Sequence, residues 1–138
     1  MSESDDHNNR LVEEFRANGG KVGGYFKGKT LLLLHTKVAR TGREHINPAA
    51  YVTDGDRWVV IASNQGLPAN PAWYYNLLAH PDVTIEVGTK TFHVRAMVAQ
   101  EPERTRLYDK MAQMMSAFDD YRRKTTRQIP VIILSPTK

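Results

Sequence analysis

From His35 to Pro48 the chain reads HTKVARTGREHINP, in which Lys37, Arg40 and Arg43 gather around one glycine, Gly42, directly behind the apolar run TLLLLH. Guanidinium groups present a planar fork of donors that matches two oxygens of a phosphate or carboxylate, and Thr41 adds a hydroxyl. Gly42 lacks a Cβ and lets an anion come close to the main chain. These types suit either an anion cradle or a solvated basic turn. A second polar set, ASNQG from Ala62 to Gly66, ends an apolar run in small and amide residues. It either offers hydrogen bonds to the edge of a heterocycle or forms a turn. Trp73, Tyr74 and Tyr75 suit stacking on a planar ligand as well as core packing.

The charge of this stretch stands out against a plain background. Between Lys21 and His45 lie six lysines and arginines against Glu44 alone, while the formal net charge of all 138 residues is +4. The excess is therefore local, which suits a polyanionic ligand better than general nucleic-acid affinity. No aromatic platform interleaved with lysines, as single-strand binders need, is evident in the strands. With no cysteine, the chain has no disulfide, thiolate nucleophile or cysteine-bound metal, and its five histidines show no zinc-type helical spacing. No metal is expected. The longest apolar run, Leu31 to Leu34, falls far short of the ~20 residues of a membrane span, and the polar start MSESDDHNNR does not resemble a signal peptide. The expected location is cytoplasmic, with at most peripheral membrane contact.

The elements that must position these groups follow from periodicity. Leu11, Val12 and Phe15, followed by NGG, predict a short amphipathic helix over 9–17. The unbroken run at 30–35 predicts a strand buried on both faces. NPAAYVT and RWVVIAS flank DGD, a hairpin signal with Asp54 and Gly55 at the tip, and DVTIEVGTKTFHVRAMV predicts a second hairpin turning at Gly88. Asn70 as cap, Pro71 in the first helical position and Pro81 as a stop predict a helix over 70–79. Leu107, Met111, Met114 or Met115, and Phe118 form a stripe along one longer helix over 101–118. IPVIILSP closes the chain as a buried strand. GGKVGG neither follows a strand nor opens a helix, and reads as a connection rather than a dinucleotide site. About six strands arranged as hairpins give an α+β, mainly β, fold: an antiparallel split β-barrel.

Four stretches occur in order: RTGREHINPAAYV, DGDRWVVIAS, NPAWYYNLLAHPDVTIEVG and FDDYRRKTTRQIPVIIL. Together they resemble the deazaflavin-dependent nitroreductase family of actinobacteria, FMN-binding split-barrel-like proteins that use coenzyme F-420. The resemblance runs from about Gly23 to the C-terminus, leaving residues 1–22 as a tail and helix that would act as a lid over the 23–138 barrel domain. It implies hydride transfer from reduced F-420, with FMN as the alternative cofactor, to a small electron-poor acceptor: a quinone, nitroaromatic or activated alkene. A non-catalytic flavin or deazaflavin carrier is the alternative function. By this resemblance Arg40, Thr41, Gly42 and Arg43 bind the coenzyme's phosphate and glutamate tail, and Asn47, Pro48, Ala49 and Tyr51 line its chain and ring. Ala62, Ser63 and Asn64, with Trp73 and Asn76, complete the pocket. Tyr121 walls the substrate side and orients or protonates the acceptor, with Ser63 as a second candidate.

This chain departs from the family pattern at Val38, Ala39 and His45, which replace a glycine and two arginines; Lys37 or Lys29 would compensate. Asn64, Gln65 and Gly66 stand where relatives often carry lysine, glycine, glycine. Weaker or retuned coenzyme binding is the expected consequence. Pairing into a homodimer is neither demanded nor forbidden by the sequence.

Overall fold

The computed structural model describes residues 3–21 and 30–137, with side chains from residue 9 onward. The glycine-rich connection beyond Lys21 and the compensating role of Lys29 lie outside the described residues. In chain order the elements are α1 (Glu3–Ala17), β1 (Leu31–Lys37), β2 (Glu44–Asp54), β3 (Arg57–Ile61), α2 (Ala72–Ala79), β4 (Asp82–Val87), β5 (Lys90–Val98), α3 (Glu103–Met114), α4 (Ala117–Lys124) and β6 (Val131–Pro136). The six strands close into a barrel in the order β1-β2-β3-β6-β5-β4, every pairing antiparallel. Closure leaves no free strand edge to template aggregation.

The leucine run of β1 explains how the barrel is covered. Leu32 and Leu34 point inward, where they meet Val60, Ile85 and Ile132 from other strands and Leu77 from α2. Leu31 and Leu33 point outward and are buried under Leu11, Val12 and Phe15 of α1. The predicted burial on both faces thus has one cause per face. Each fully buried leucine contributes about 1.5–3 kcal/mol. A third cluster covers the outer side of β2, β3 and β6 with Leu107, Met111 and Phe118 from α3 and α4.

Both predicted hairpins form. At the first, Asp54 pairs with Arg57, so Gly55 and Asp56 make the tip, one residue later than the sequence reading. At the second, Val87 pairs with Lys90 around Gly88 and Thr89. The end of α1 docks beside that turn: a Cβ on Gly20 would stand 2.9 Å from the Gly88 Cα, so only glycine fits there. Arg16 fixes the same end by gripping Glu86 with both Nε and Nη2, at 3.0 and 2.8 Å.

Two helix boundaries differ from expectation. Pro71, not Asn70, occupies the cap position of α2, and no side chain caps it. The Asn70 carboxamide is engaged elsewhere, accepting from Arg127 and donating to Tyr75. The stretch 101–118 forms two helices instead of one, because Met115 is extended at φ −134°, ψ 102°. Tyr108 bridges the break, its hydroxyl donating to the Phe118 carbonyl at 2.7 Å with the two rings edge to face. The break moves Phe118 and Tyr121 onto α4 and leaves Met114 exposed.

Candidate functional site

A cleft of about 260 Å³ opens between the outer side of β2 and β3 and the start of α4. Of the residues singled out from the sequence, it brings together Pro48, Ala49, Ser63, Asn64, Trp73 and Tyr121. Ala50, Ile61, Gln65, Pro71, Met115 and Phe118 complete its walls, and the sequence reading missed them as lining residues. Gln65 carried a local signal as the neighbour of Asn64. Met115 and Phe118 carried only the signal of a core stripe. A larger hollow of about 410 Å³ lies around His35, Thr84 and His93. Its carboxylates and histidines are mostly spent on one another, His35 bridging Glu44 and Glu86 and Asp82 gripping Arg95, and of the site candidates it holds Lys37 alone.

The wall from Ser63 to Gln65 has an unusual backbone. After Ser63 in the right-handed helical region, Asn64, Gln65 and Gly66 all take positive φ, at 49°, 56° and 78°. Asn64 suits this conformation better than Gln65, because a short amide side chain bonds locally, here from Nδ2 to the Ala69 carbonyl at 2.9 Å. At Gly66 an added Cβ would lie 2.9 Å from the Tyr121 carbonyl oxygen and 3.1 Å from its Cα. The loop therefore rests directly on α4 at Tyr121. Phe118 supports Tyr121 edge to face, ring centres 5.3 Å apart.

The basic loop is the other half of the candidate site. Lys37, Arg40, Thr41, Gly42 and Arg43 are all exposed. Among the described residues, Arg40 and Arg43 are the two arginines whose guanidinium groups make no hydrogen bond or ion pair. Their charge is unspent. The backbone corrects part of the cradle reading: Val38 N–H donates to the Arg43 carbonyl, Gly42 N–H to the Val38 carbonyl and Arg43 N–H to Thr41 Oγ1. Gly42 supplies open space, with nothing within 4 Å of where a Cβ would be, rather than a donor.

Asn76 ties this loop to the barrel. Its side chain is buried, with Oδ1 accepting from Ala39 N–H at 3.1 Å and Nδ2 donating to Thr36 Oγ1 at 3.3 Å. It stands one turn along α2 from Trp73, so a single short helix carries a cleft wall and the loop's anchor. From Arg43 into β2 as far as Pro48 the chain connects loop and cleft over roughly 17 Å. Asn47, Tyr51 and Ala62 do not line the cleft. Asn47 is 3.0 Å from His45 Nδ1, Ala62 is fully buried in the barrel interior, and Tyr51 is on that same face, its phenol pKa pushed up by burial.

Unspent guanidinium groups, open space at Gly42 and an apolar cleft walled by Trp73 and Tyr121 fit a ligand that is anionic at one end and planar at the other. Comparison with known proteins decides which. The family model of F420H(2)-dependent quinone reductases matches residues 8–136. The chain belongs to this family. An F420H(2)-dependent quinone reductase of Mycobacterium tuberculosis (strain ATCC 25618 / H37Rv) is 37% identical over 125 residues, covering 88% of this chain and 84% of that one. A solved structure of an F420-H2 dependent reductase superposes with TM-score 0.72 at 28% identity, over 77% of this chain and 94% of the other. Another, described as a domain-swapped dimer, reaches TM-score 0.74 at 25% identity over 97% of this chain and all of that one. This member of the quinone reductase family is an F420-dependent oxidoreductase with the split-barrel fold, and the carrier reading is not favoured. The nitroreductase label attached to the resemblance relates only loosely to the matched family. No helix among the described residues is long and apolar enough to cross a membrane.

Proposed function

We propose that the chain reduces a quinone at the cleft between β2, the Ser63–Gln65 turn and α4, using reduced F420 held across the cleft and the basic loop. The observation that carries this reading is the pairing of an apolar cleft with two arginines of unspent charge, joined through α2 and β2. When bound, reduced F420 supplies a hydride. Arg40 and Arg43, helped by Lys37 and the Thr41 hydroxyl, hold the phosphate and glutamate tail. Trp73, Pro48 and Ala49 confine the ring, and Phe118 and Met115 keep water from the reacting face. Tyr121 and Ser63 face the space left for the acceptor, where the phenol donates a hydrogen bond or proton to a quinone oxygen. The protein's contribution is orientation within a confined site, and no nucleophile is required. The homodimer belongs to this proposal as well, supported by the domain-swapped neighbour.

Fluorescence titration with reduced and oxidised F420, followed by oxidation of the bound reduced form with menadione, tests the reading. Saturable binding with turnover is expected; binding without menadione reduction, or no binding, overturns it. Replacing Arg40 and Arg43 together by alanine should weaken coenzyme binding at least tenfold, since each lost charged contact is worth about 1–3 kcal/mol. Unchanged affinity would remove the loop from the site.

A further inference from the structure

Beyond the end of β3 the chain leaves the sheet, and one distant side chain collects the carbonyls of Ala62, Ser63 and Leu67. Arg127 donates from Nε to the Leu67 carbonyl at 2.9 Å and from Nη2 to the Ser63 carbonyl at 2.7 Å. Both Nη atoms also reach the Ala62 carbonyl at 3.4 Å, and Nη1 donates to Asn70 Oδ1. The arginine is itself braced, its N–H donating to Thr125 Oγ1 at 3.3 Å. It does not line the cleft, so whatever it does there it does through the residues it holds.

What it holds is the left-handed turn. Its contacts fall on Ser63 before the turn and Leu67 after it, bracketing Asn64, Gln65 and Gly66. Non-glycine residues persist in this region only where their surroundings over-determine them. Arg127 follows α4 by three residues, so the same clamp fastens the helix carrying Tyr121 to the loop carrying Ser63. Gly66 lies in contact between them. A planar fork with five N–H groups can serve four acceptors spread around it, whereas an ammonium is a compact point donor.

We infer that Arg127 is the positioning residue that fixes the separation of the two walls between which coenzyme ring and acceptor must stack. This rests on the proposed use of the cleft. The test is steady-state kinetics of Arg127→Ala and Arg127→Lys with reduced F420 and menadione, together with amide hydrogen exchange. In Arg127→Ala, kcat/KM for menadione should fall at least tenfold, amides 64–67 should exchange faster while those of β1 and β4 do not, and millimolar guanidinium should restore part of the activity. Arg127→Lys should remain impaired. Arg123→Ala, at an exposed arginine of α4 near the clamp, should match the wild type. Wild-type kcat/KM in Arg127→Ala overturns the inference. So does a loss that accompanies faster exchange throughout the barrel and is not rescued by guanidinium, because the role is then structural. If the wild type itself neither binds F420 nor reduces menadione, it is the proposed function that fails, and exchange confined to 64–67 still reports whether Arg127 holds the turn.

Discussion

At the scale of single residues, the site is shaped by groups that spend their bonds inside the chain. Asn76 looked like a ligand contact from its place in NPAWYYN, yet both ends of its carboxamide are committed to Ala39 and Thr36. Its effect on a ligand passes through the loop. Asn76→Ala strands the Ala39 amide and should cost about 1–3 kcal/mol of stability. Coenzyme affinity should fall with it although no ligand contact is removed; chemical denaturation and F420 titration of the same variant read the two losses. Gly66 is the counterpart on the other wall. Gly66→Ala brings a Cβ to 2.9 Å from the Tyr121 carbonyl at a backbone φ of 78°. Strain of about 1–3 kcal/mol is expected, with the melting temperature lowered and menadione KM raised as Tyr121 is displaced. A variant with unaltered KM would separate the turn from the cleft. Neither role was legible beforehand, because the partners of Asn76 and Gly66 lie about 40 and 55 positions away.

Elements follow a similar division. The two hairpins were legible because their pairing is local and a glycine, Gly55 or Gly88, sits in each turn. The split of 101–118 into α3 and α4 was not, since helical periodicity continues through Met115 and the extended backbone there is held by a hydrogen bond from Tyr108 to Phe118. Burial pushes the Tyr108 phenol up to about 12, consistent with a hydroxyl that only donates. The start of α3 is fastened to the first hairpin by a charge cluster in which Asp54 meets Arg57 and Arg106, and Glu103 approaches both. Hydrogen bonds from Arg106 and then Arg57 lower the Asp54 carboxyl from 3.8 to about 2. The folded-state value is depressed, so the unfolded chain binds more protons between these values. The stabilisation is therefore complete above pH ~4 and is lost as pH falls toward about 2. Asp54→Asn should lower the urea midpoint at neutral pH and flatten its fall between pH 4 and 2. An acid limb identical to the wild type would exclude Asp54 as a contributor.

For the molecule as a whole, barrel class was readable from hairpin count and the absence of a βαβ rhythm, but the insertion of β6 between β3 and β5 was not. That pairing joins strands about 70 residues apart, Ile61 against Val131, and it is what brings α4 and Arg127 to the end of β3. The site is therefore a product of closure: a basic loop from one hairpin, a turn after another, and a helix from the far end of the chain. Its charge distribution gives the last prediction. Most arginines are neutralised by nearby carboxylates, whereas Arg40 and Arg43 are exposed and have no ion pair among the described residues, so the long-range attraction for an anion is concentrated at one end of the site. Exposed charges are screened over about 10 Å at 0.1 M salt and about 3 Å at 1 M, while apolar contacts in the cleft are not weakened in this way. F420 affinity should thus fall progressively with salt, and the fall should steepen with the number of glutamates in the tail. Menadione, which carries no charge, should show a KM nearly independent of salt on the coenzyme-saturated enzyme. In the Arg40→Ala, Arg43→Ala double variant the salt slope for F420 should flatten toward that of the uncharged substrate. A slope unchanged by the double substitution would place the anionic tail elsewhere on the surface, and Lys37 would then be the next cation to remove.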